Sequence, residues 1–169
     1  MTTSQPMTEQ RDWQLRTFES GDLGHIAGRQ AALYEAEWGW GRPMEAMIYD
    51  IAGRFLREFK PGREQCWVAD RDGQILGGAF ICEEDAQTAR LRLLYVEPDA
   101  RGLGVGAALV RQCTEFARKS AYKRIVLMTH AVLHSARRIY EAEGYQLIAS
   151  EAQDDFGKEE VTEHWLLEL

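Results

Sequence analysis

Apolar residues recur along the chain in two rhythms. Trp13, Leu15 and Thr17 alternate with polar neighbours through Trp13 to Phe18, which predicts a first strand. From Gly21 to Glu37 the spacing lengthens to three and four, with Leu23, Ile26, Ala27, Gln30, Ala31 and Tyr34 on one helical face. After the turn-like GWGRP the helical spacing resumes. Pro43 suits a first turn, and Met44, Met47, Ile48, Ile51, Phe55 and Phe59 form a stripe that Pro61-Gly62 stops. Alternation then returns: Gln65 to Asp70 and Gln74 to Ile81 flank Arg71-Asp72-Gly73, where Asp-Gly favours a tight hairpin, and Ala89 to Val96 ends before Pro98. Helices follow around Val105, Leu109, Cys113 and Phe116 and over Ser135 to Glu143, the latter stopped by Gly144. Strands fall at Arg124 to Met128, Tyr145 to Ser150 and Val161 to Leu169. The predicted order is β-α-α-β-β-β-α-β-α-β-β, an α+β or mixed α/β domain.

With 169 residues, 45% of them hydrophobic, the chain can bury a core without staples, so one domain over 1–169 is expected. No internal repeat or low-complexity tract interrupts it. Residues 1–11 are polar, lack the apolar run of a secretory signal or membrane span, and are expected as a frayed lead-in to a cytoplasmic protein. Cys66, Cys82 and Cys113 are odd in number, far apart and set in apolar patterns, which suits reduced core thiols better than a metal site or disulfides. A net charge of −7 argues against a nucleic-acid-binding face.

Into this pattern falls YVEPDARGLGVGAALV, Tyr95 to Val110, with Gly102, Gly104 and Gly106 at alternate positions. Glycine inside a helix costs about 0.5–1 kcal/mol relative to alanine, so the cluster needs a reason. A plain strand-to-helix turn is one. The other is a loop whose bare N–H groups, with the positive end of the following helix, bind an anion, Arg101 adding a fixed charge. The two familiar phosphate loops fit poorly: Gly106 is followed by Ala107-Ala108 where a P-loop needs lysine, and the G-x-G-x-G spacing lacks a residue of the dinucleotide fingerprint.

Arg101-Gly102-Leu103-Gly104-Val105-Gly106 resembles the R/Q-x-x-G-x-G/A signature of the GNAT N-acetyltransferases. Ala136-Arg137-Arg138-Ile139-Tyr140-Glu141-Ala142-Glu143-Gly144-Tyr145 is similar to the family's second signature, A-x-x-x-Y-x-x-x-G-F. The element order matches that family over nearly the whole chain. LRLLYVEPDARGLGVG, RRIYEAEGY and DDFGKEEVTEHWLLEL also look like the acetyltransferase half of bacterial proteins fused to a MarR-type regulator.

The resemblance implies a mostly antiparallel sheet splayed between strands 4 and 5, with acetyl-CoA as cosubstrate and no metal. It places the pyrophosphate on the amides of Gly102, Leu103, Gly104, Val105, Gly106 and Ala107 beside Arg101. The pantetheine lies along the backbone of Leu94 and Val96, and Ser135 and Arg138, at the start of the later helix, are further cofactor contacts. Leu133 stands where the family commonly has asparagine, and Ser135 is expected to replace it as the helix N-cap or as a phosphate contact. Alternation puts Arg90, Arg92, Leu94 and Val96 on one side of their strand. Tyr140 takes the position of the acid that protonates the leaving thiolate, with a core tyrosine as the competing reading. His130 is the first candidate base, ahead of Glu37 and Glu97.

For the acceptor, Glu35, Glu37, Trp38 and Trp40 read as an acidic aromatic wall for an ammonium group, or as a helix end packed on the core. Arg92 in the cleft can hold a carboxylate. A small-molecule amine bearing a carboxylate fits these residue types. The alternatives are a protein N-terminus or lysine, and an acyl-CoA-binding sensor that transfers nothing. Trp165 is a candidate contact for a homodimer edge. Nucleic-acid and membrane partners are not expected.

Overall fold

A computed structural model of the chain describes residues 11–169; most of the expected lead-in, residues 1–10, lies outside the described residues. The elements are β1 (Gln14–Thr17), α1 (Asp22–Trp38), α2 (Gly41–Arg57), β2 (Gln65–Arg71), β3 (Gln74–Glu83), β4 (Thr88–Val96), a 3-10 turn (Pro98–Ala100), α3 (Val105–Lys119), β5 (Arg124–His130), α4 (His134–Glu143), β6 (Gln146–Gln153) and β7 (Glu160–Glu168). This is the predicted order. One seven-stranded sheet runs β1-β2-β3-β4-β5-β7-β6, antiparallel except where β4 meets β5.

The sheet is sandwiched between two apolar layers. On one face α1 and α2 contribute Leu23, Ile26, Met44, Ile48 and Phe55, packed with Val68 and Phe80 of the sheet. On the other, α3 and α4 contribute Leu109, Cys113 and Tyr140 against Ile81, Leu91 and Ile125. All three cysteines are free thiols, and burial pushes the Cys66 and Cys113 thiols well up in pKa, so they stay protonated and apolar in character. No described helix is long and apolar enough to cross a membrane.

Two features of the sheet make room for a ligand. Strands β4 and β5 pair only over Thr88–Arg90 and Arg124–Val126 and then part, leaving the second half of β4 without a neighbour on that side. Within that half, Leu93 adopts φ 52°, and the pairing with β3 slips between Gly78 and Phe80, so that β4 carries an extra residue. A bulge of this kind reverses the phase of alternation. Before it, Leu91 joins the α3–α4 layer; after it, Leu93 and Tyr95 join the α1–α2 layer, while Leu94 and Val96 turn to the α3–α4 layer. The expected common side for Arg90, Arg92, Leu94 and Val96 is therefore corrected. The two arginines share a face with Cys82 and Phe80, their pairing partners, and the two apolar residues point the other way.

Trp165 is also corrected as a dimer-edge residue. Strand β7 is flanked by β5 and β6, and Trp165 is 3% exposed in the α3–α4 layer. The edges among the described strands are β1 and β6.

Candidate active site

The glycine loop divides its work unevenly. Gly102 and Gly104 have φ of 83° and 76°, a left-handed region that costs other residues about 1–2 kcal/mol, and a Cβ on either would meet nothing within 4 Å. They serve backbone direction. Gly106 has ordinary helical backbone, but its Cβ would lie 2.7 Å from Ile139 Cδ1 and 3.3 Å from Val96 Cγ2. Its missing side chain lets α3 lie close to α4 and β4. Gly104 is the N-cap of α3, no side chain caps that helix, and its first turn holds no acidic residue. The first N–H groups of α3 and the dipole's positive end are thus left for an external anion. Val105 is buried to 1% exposure, so it offers its N–H and not its side chain; Leu103 is exposed.

Arg101 follows the 3-10 turn at the loop's entrance. Its Nη2 stands 2.9 Å from Oε1 of Glu37. Ser135 and Arg138 are exposed on α4, with Arg138 Nη2 donating to Ser135 Oγ at 3.3 Å. Ser135 is not the N-cap: α4 begins at His134 with Leu133 as N-cap and no side-chain capping bond. The polar side chain expected there is absent because an apolar residue fills the position.

Between the parted strands, lined from both apolar layers, lies a cavity of about 300 Å³. Of the expected site residues it brings together Arg92, Leu94, His130 and Tyr140. Tyr140 is 5% exposed beside Tyr145 and Trp165, and burial pushes its phenol far up in pKa. It stays protonated at any working pH, which fits a donor and excludes a base. His130 is 6% exposed and its Nδ1 has no partner; burial lowers its pKa, against a weaker opposite pull from Glu160. Its ring is therefore neutral near pH 7. The other two base candidates are engaged elsewhere: Glu97 takes a two-pronged contact from Arg29 at 2.6 and 2.8 Å, which holds its carboxyl below the usual range, and Glu37 faces Arg101.

The acidic aromatic wall is corrected in part. Trp40 is 1% exposed; its Nε1 donates to Oε1 of Glu160 at 3.0 Å, and its ring packs 4.7 Å from that of His130. It walls the histidine from behind and presents no face to solvent. Trp38 is half-buried and stacks on Trp40 at 5.9 Å. Glu35 Oε2 accepts from the Gly41 N–H at 2.7 Å, so it caps α2 instead of facing an ammonium group.

Two residues escaped sequence reasoning. Gln30, on α1, is 2% exposed and lines the cavity; its Nε2 donates to the Leu94 carbonyl and to Tyr34 Oη, both at 3.1 Å. A glutamine on an apolar helical face was the signal available. Phe156, in the β6–β7 loop, packs within 5.6 Å of the His130 ring and 5.9 Å of the Trp40 ring, and nothing local in DDFGKEE marks it. Among the described residues, no group of three or more His, Cys, Asp or Glu could hold a metal ion.

An acetyltransferase domain model of the GNAT family matches residues 62–147, more than half of the chain and all of the glycine loop. The chain belongs to the GNAT family. Over 104 residues it is 38% identical to N-acetylaspartate synthetase of Danio rerio, covering 61% of this chain and 37% of that protein. Over 103 residues it is 32% identical to human N-acetyltransferase 8, covering 57% and 44%. The chain thus spans less than half the length of these relatives. Among solved structures, an acetyltransferase from Streptococcus agalactiae superposes with a TM-score of 0.75 at 20% identity, covering 95% of this chain and all of that one. An acetyltransferase from Salmonella typhimurium, solved with its cofactor acetyl-CoA, gives 0.72 at 18% identity, covering 93% and 94%. At such identity these structures share the GNAT fold, and the likeness says no more than that.

Proposed function

We propose that the protein transfers an acetyl group from acetyl-CoA to the primary amine of a small acceptor that carries a carboxylate, by direct attack in a ternary complex. The observation that carries this reading is the uncapped start of α3 beside a cleft that holds a protonated buried tyrosine and a neutral histidine. The N–H groups of Gly102, Gly104, Val105, Gly106 and Ala107, with Arg101, would hold the diphosphate, that of Leu103 being given to the Ala100 carbonyl at 3.3 Å; the exposed Ser135 and Arg138 lie on α4, and Gly106 packs against the same helix. The thioester arm would lie at Leu94 and Val96, along the half of β4 that β5 leaves unpaired, where the Leu94 carbonyl already accepts from Gln30 Nε2.

In the reaction, the amine nitrogen attacks the thioester carbonyl carbon, the C–N bond forms, and the C–S bond breaks. His130, neutral at its depressed pKa, takes the proton the amine loses, directly or through one water. Tyr140 Oη gives its proton to the departing thiolate and recovers one from solvent afterwards. The names of the relatives, N-acetylaspartate synthetase among them, agree with an amino-group acceptor. The narrower likeness to MarR-fused acetyltransferase halves rests on the segments quoted for it alone.

Release of free thiol from acetyl-CoA, measured with amino acids, polyamines, aminoglycosides and peptides in turn, tests this function. Amino acids are expected to give the fastest release. Fastest release with a peptide would move the assignment to protein acetylation. Acetyl-CoA binding with no release for any amine would leave a sensor.

A further inference from the structure

The cavity presents three features that together describe one ligand. Arg92 is half-buried with no hydrogen-bond or ion-pair partner among the described residues, and burial, then the charge of Arg90, lowers its pKa. Arg90, which also lines the cavity, is not equivalent, because Glu84 holds its guanidinium at 2.7 and 3.2 Å. One uncompensated cation therefore faces the space. An incoming carboxylate would relieve it with a two-pronged contact.

The remaining wall is apolar and adaptable. Met44, Met47 and Ile51 of α2 face Met128 of β5, and methionine's flexible thioether accommodates varied apolar shapes. A second carboxylate placed there would find no free cation, and would meet the charge of Asp50, exposed on α2 and lining the same cavity. Burying such a charge unpaired is strongly unfavourable.

Gln30 supplies the third feature. The Leu94 carbonyl can only accept, so the amide nitrogen must face it, and Oε1 is left buried with no donor. An unsatisfied buried carbonyl calls for an N–H from outside. It lies beside Leu94, on the half of β4 that β5 leaves unpaired.

We propose that the acceptor is an α-amino acid with a single carboxylate and an apolar side chain, its carboxylate on Arg92, its side chain against Met44, Met47 and Met128, and its amine at Gln30 Oε1. The placement of the amine rests on the acetyl-transfer reading; the carboxylate and side-chain sites do not. At about 300 Å³ the cavity is at the small end of ligand sites, as such a molecule requires. The aspartate in the name of the Danio rerio relative is the contrasting case, since its second carboxylate has no partner here.

The test is calorimetric titration of L-methionine, L-leucine and L-aspartate into protein saturated with CoA, with thiol release from acetyl-CoA followed in parallel. L-methionine and L-leucine are expected to bind at least about tenfold tighter than L-aspartate, a difference of roughly 1.4 kcal/mol. Arg92→Gln should weaken L-methionine at least about tenfold and leave 3-(methylthio)propylamine, the same molecule without its carboxylate, unchanged. Gln30→Met should weaken both, with the affinity for CoA retained. Equal or tighter binding of L-aspartate overturns the proposal, as does failure of all these amines to bind the wild-type protein; neither result depends on a variant folding. Binding of L-methionine without thiol release keeps the ligand assignment and overturns acetyl transfer instead.

Discussion

Arg101 Nη2 lies 2.9 Å from Glu37 Oε1, so the arginine at the entrance of the glycine loop is paired with a carboxylate from the end of α1. Both groups are largely exposed, at 61% and 44% of their side-chain surface. Exposed pairs of this kind contribute under about 1 kcal/mol, so a diphosphate can displace Glu37 at little cost. Glu37→Gln should therefore leave acetyl-CoA affinity unchanged or raise it by no more than about fivefold, whereas Arg101→Ala should lower it. Titration at two salt concentrations checks both, because the Arg101 contribution should shrink as salt rises.

The two kinds of glycine make separable predictions. Gly104→Ala forces a side chain into left-handed backbone and should cost about 1–2 kcal/mol of stability, with a matching loss of acetyl-CoA affinity as the cradle distorts. Gly106→Ala meets the end of a flexible isoleucine side chain, and the better helix propensity of alanine, about 1 kcal/mol, offsets part of that cost. Its melting temperature and affinity should change less than those of Gly104→Ala. Thermal melts with and without acetyl-CoA compare the two.

Removing the Tyr140 hydroxyl separates donor from packing. Tyr140→Phe keeps the ring against Tyr145 and Trp165, so acetyl-CoA binding and folding should persist while turnover falls by about a hundredfold or more. An unchanged maximal rate would show that the phenol only fills the cleft.

Of the three candidate bases His130 alone lines the cavity, and its titration should be visible in stability as well as rate. Burial holds its pKa below the ordinary 6.5, so the unfolded chain binds this proton more readily than the folded one. Its contribution is whole above about pH 6.5 and is lost as pH falls from there through the lower folded-state value. His130→Asn should flatten that part of the stability–pH curve. If the histidine is the base, the same substitution should remove the acid limb of kcat/KM; a limb that survives assigns proton removal to another group.

The element order and the glycine turn before α3 were legible in the sequence because both are local: hydrophobic spacing sets each strand and helix, and the glycines sit together. The cleft was less legible. Alternation placed Arg92 and Leu94 on one side, but one extra residue at Leu93 separates them, and no local signal distinguishes a bulge from a continuous strand. Trp40 looked like a ligand wall until Glu160, 120 positions later, supplied a partner for its indole and buried it. Arg101 and Glu37 were each read as ligand-facing for the same reason, since a charge 64 positions away is invisible to residue spacing. Gln30 was read only as a packing position, because its meaning depends on Leu94 standing opposite.

The central claim is that main-chain donors from Gly102 to Ala107 hold a diphosphate, and comparison of acetyl-CoA with S-acetylpantetheine, which lacks one, tests it most directly. Calorimetry should show saturable one-to-one binding of acetyl-CoA and at least about tenfold weaker binding of S-acetylpantetheine, since each charge-assisted bond lost removes about 1.5–3 kcal/mol. Equal affinity for the two, or no affinity for acetyl-CoA, would contradict the account.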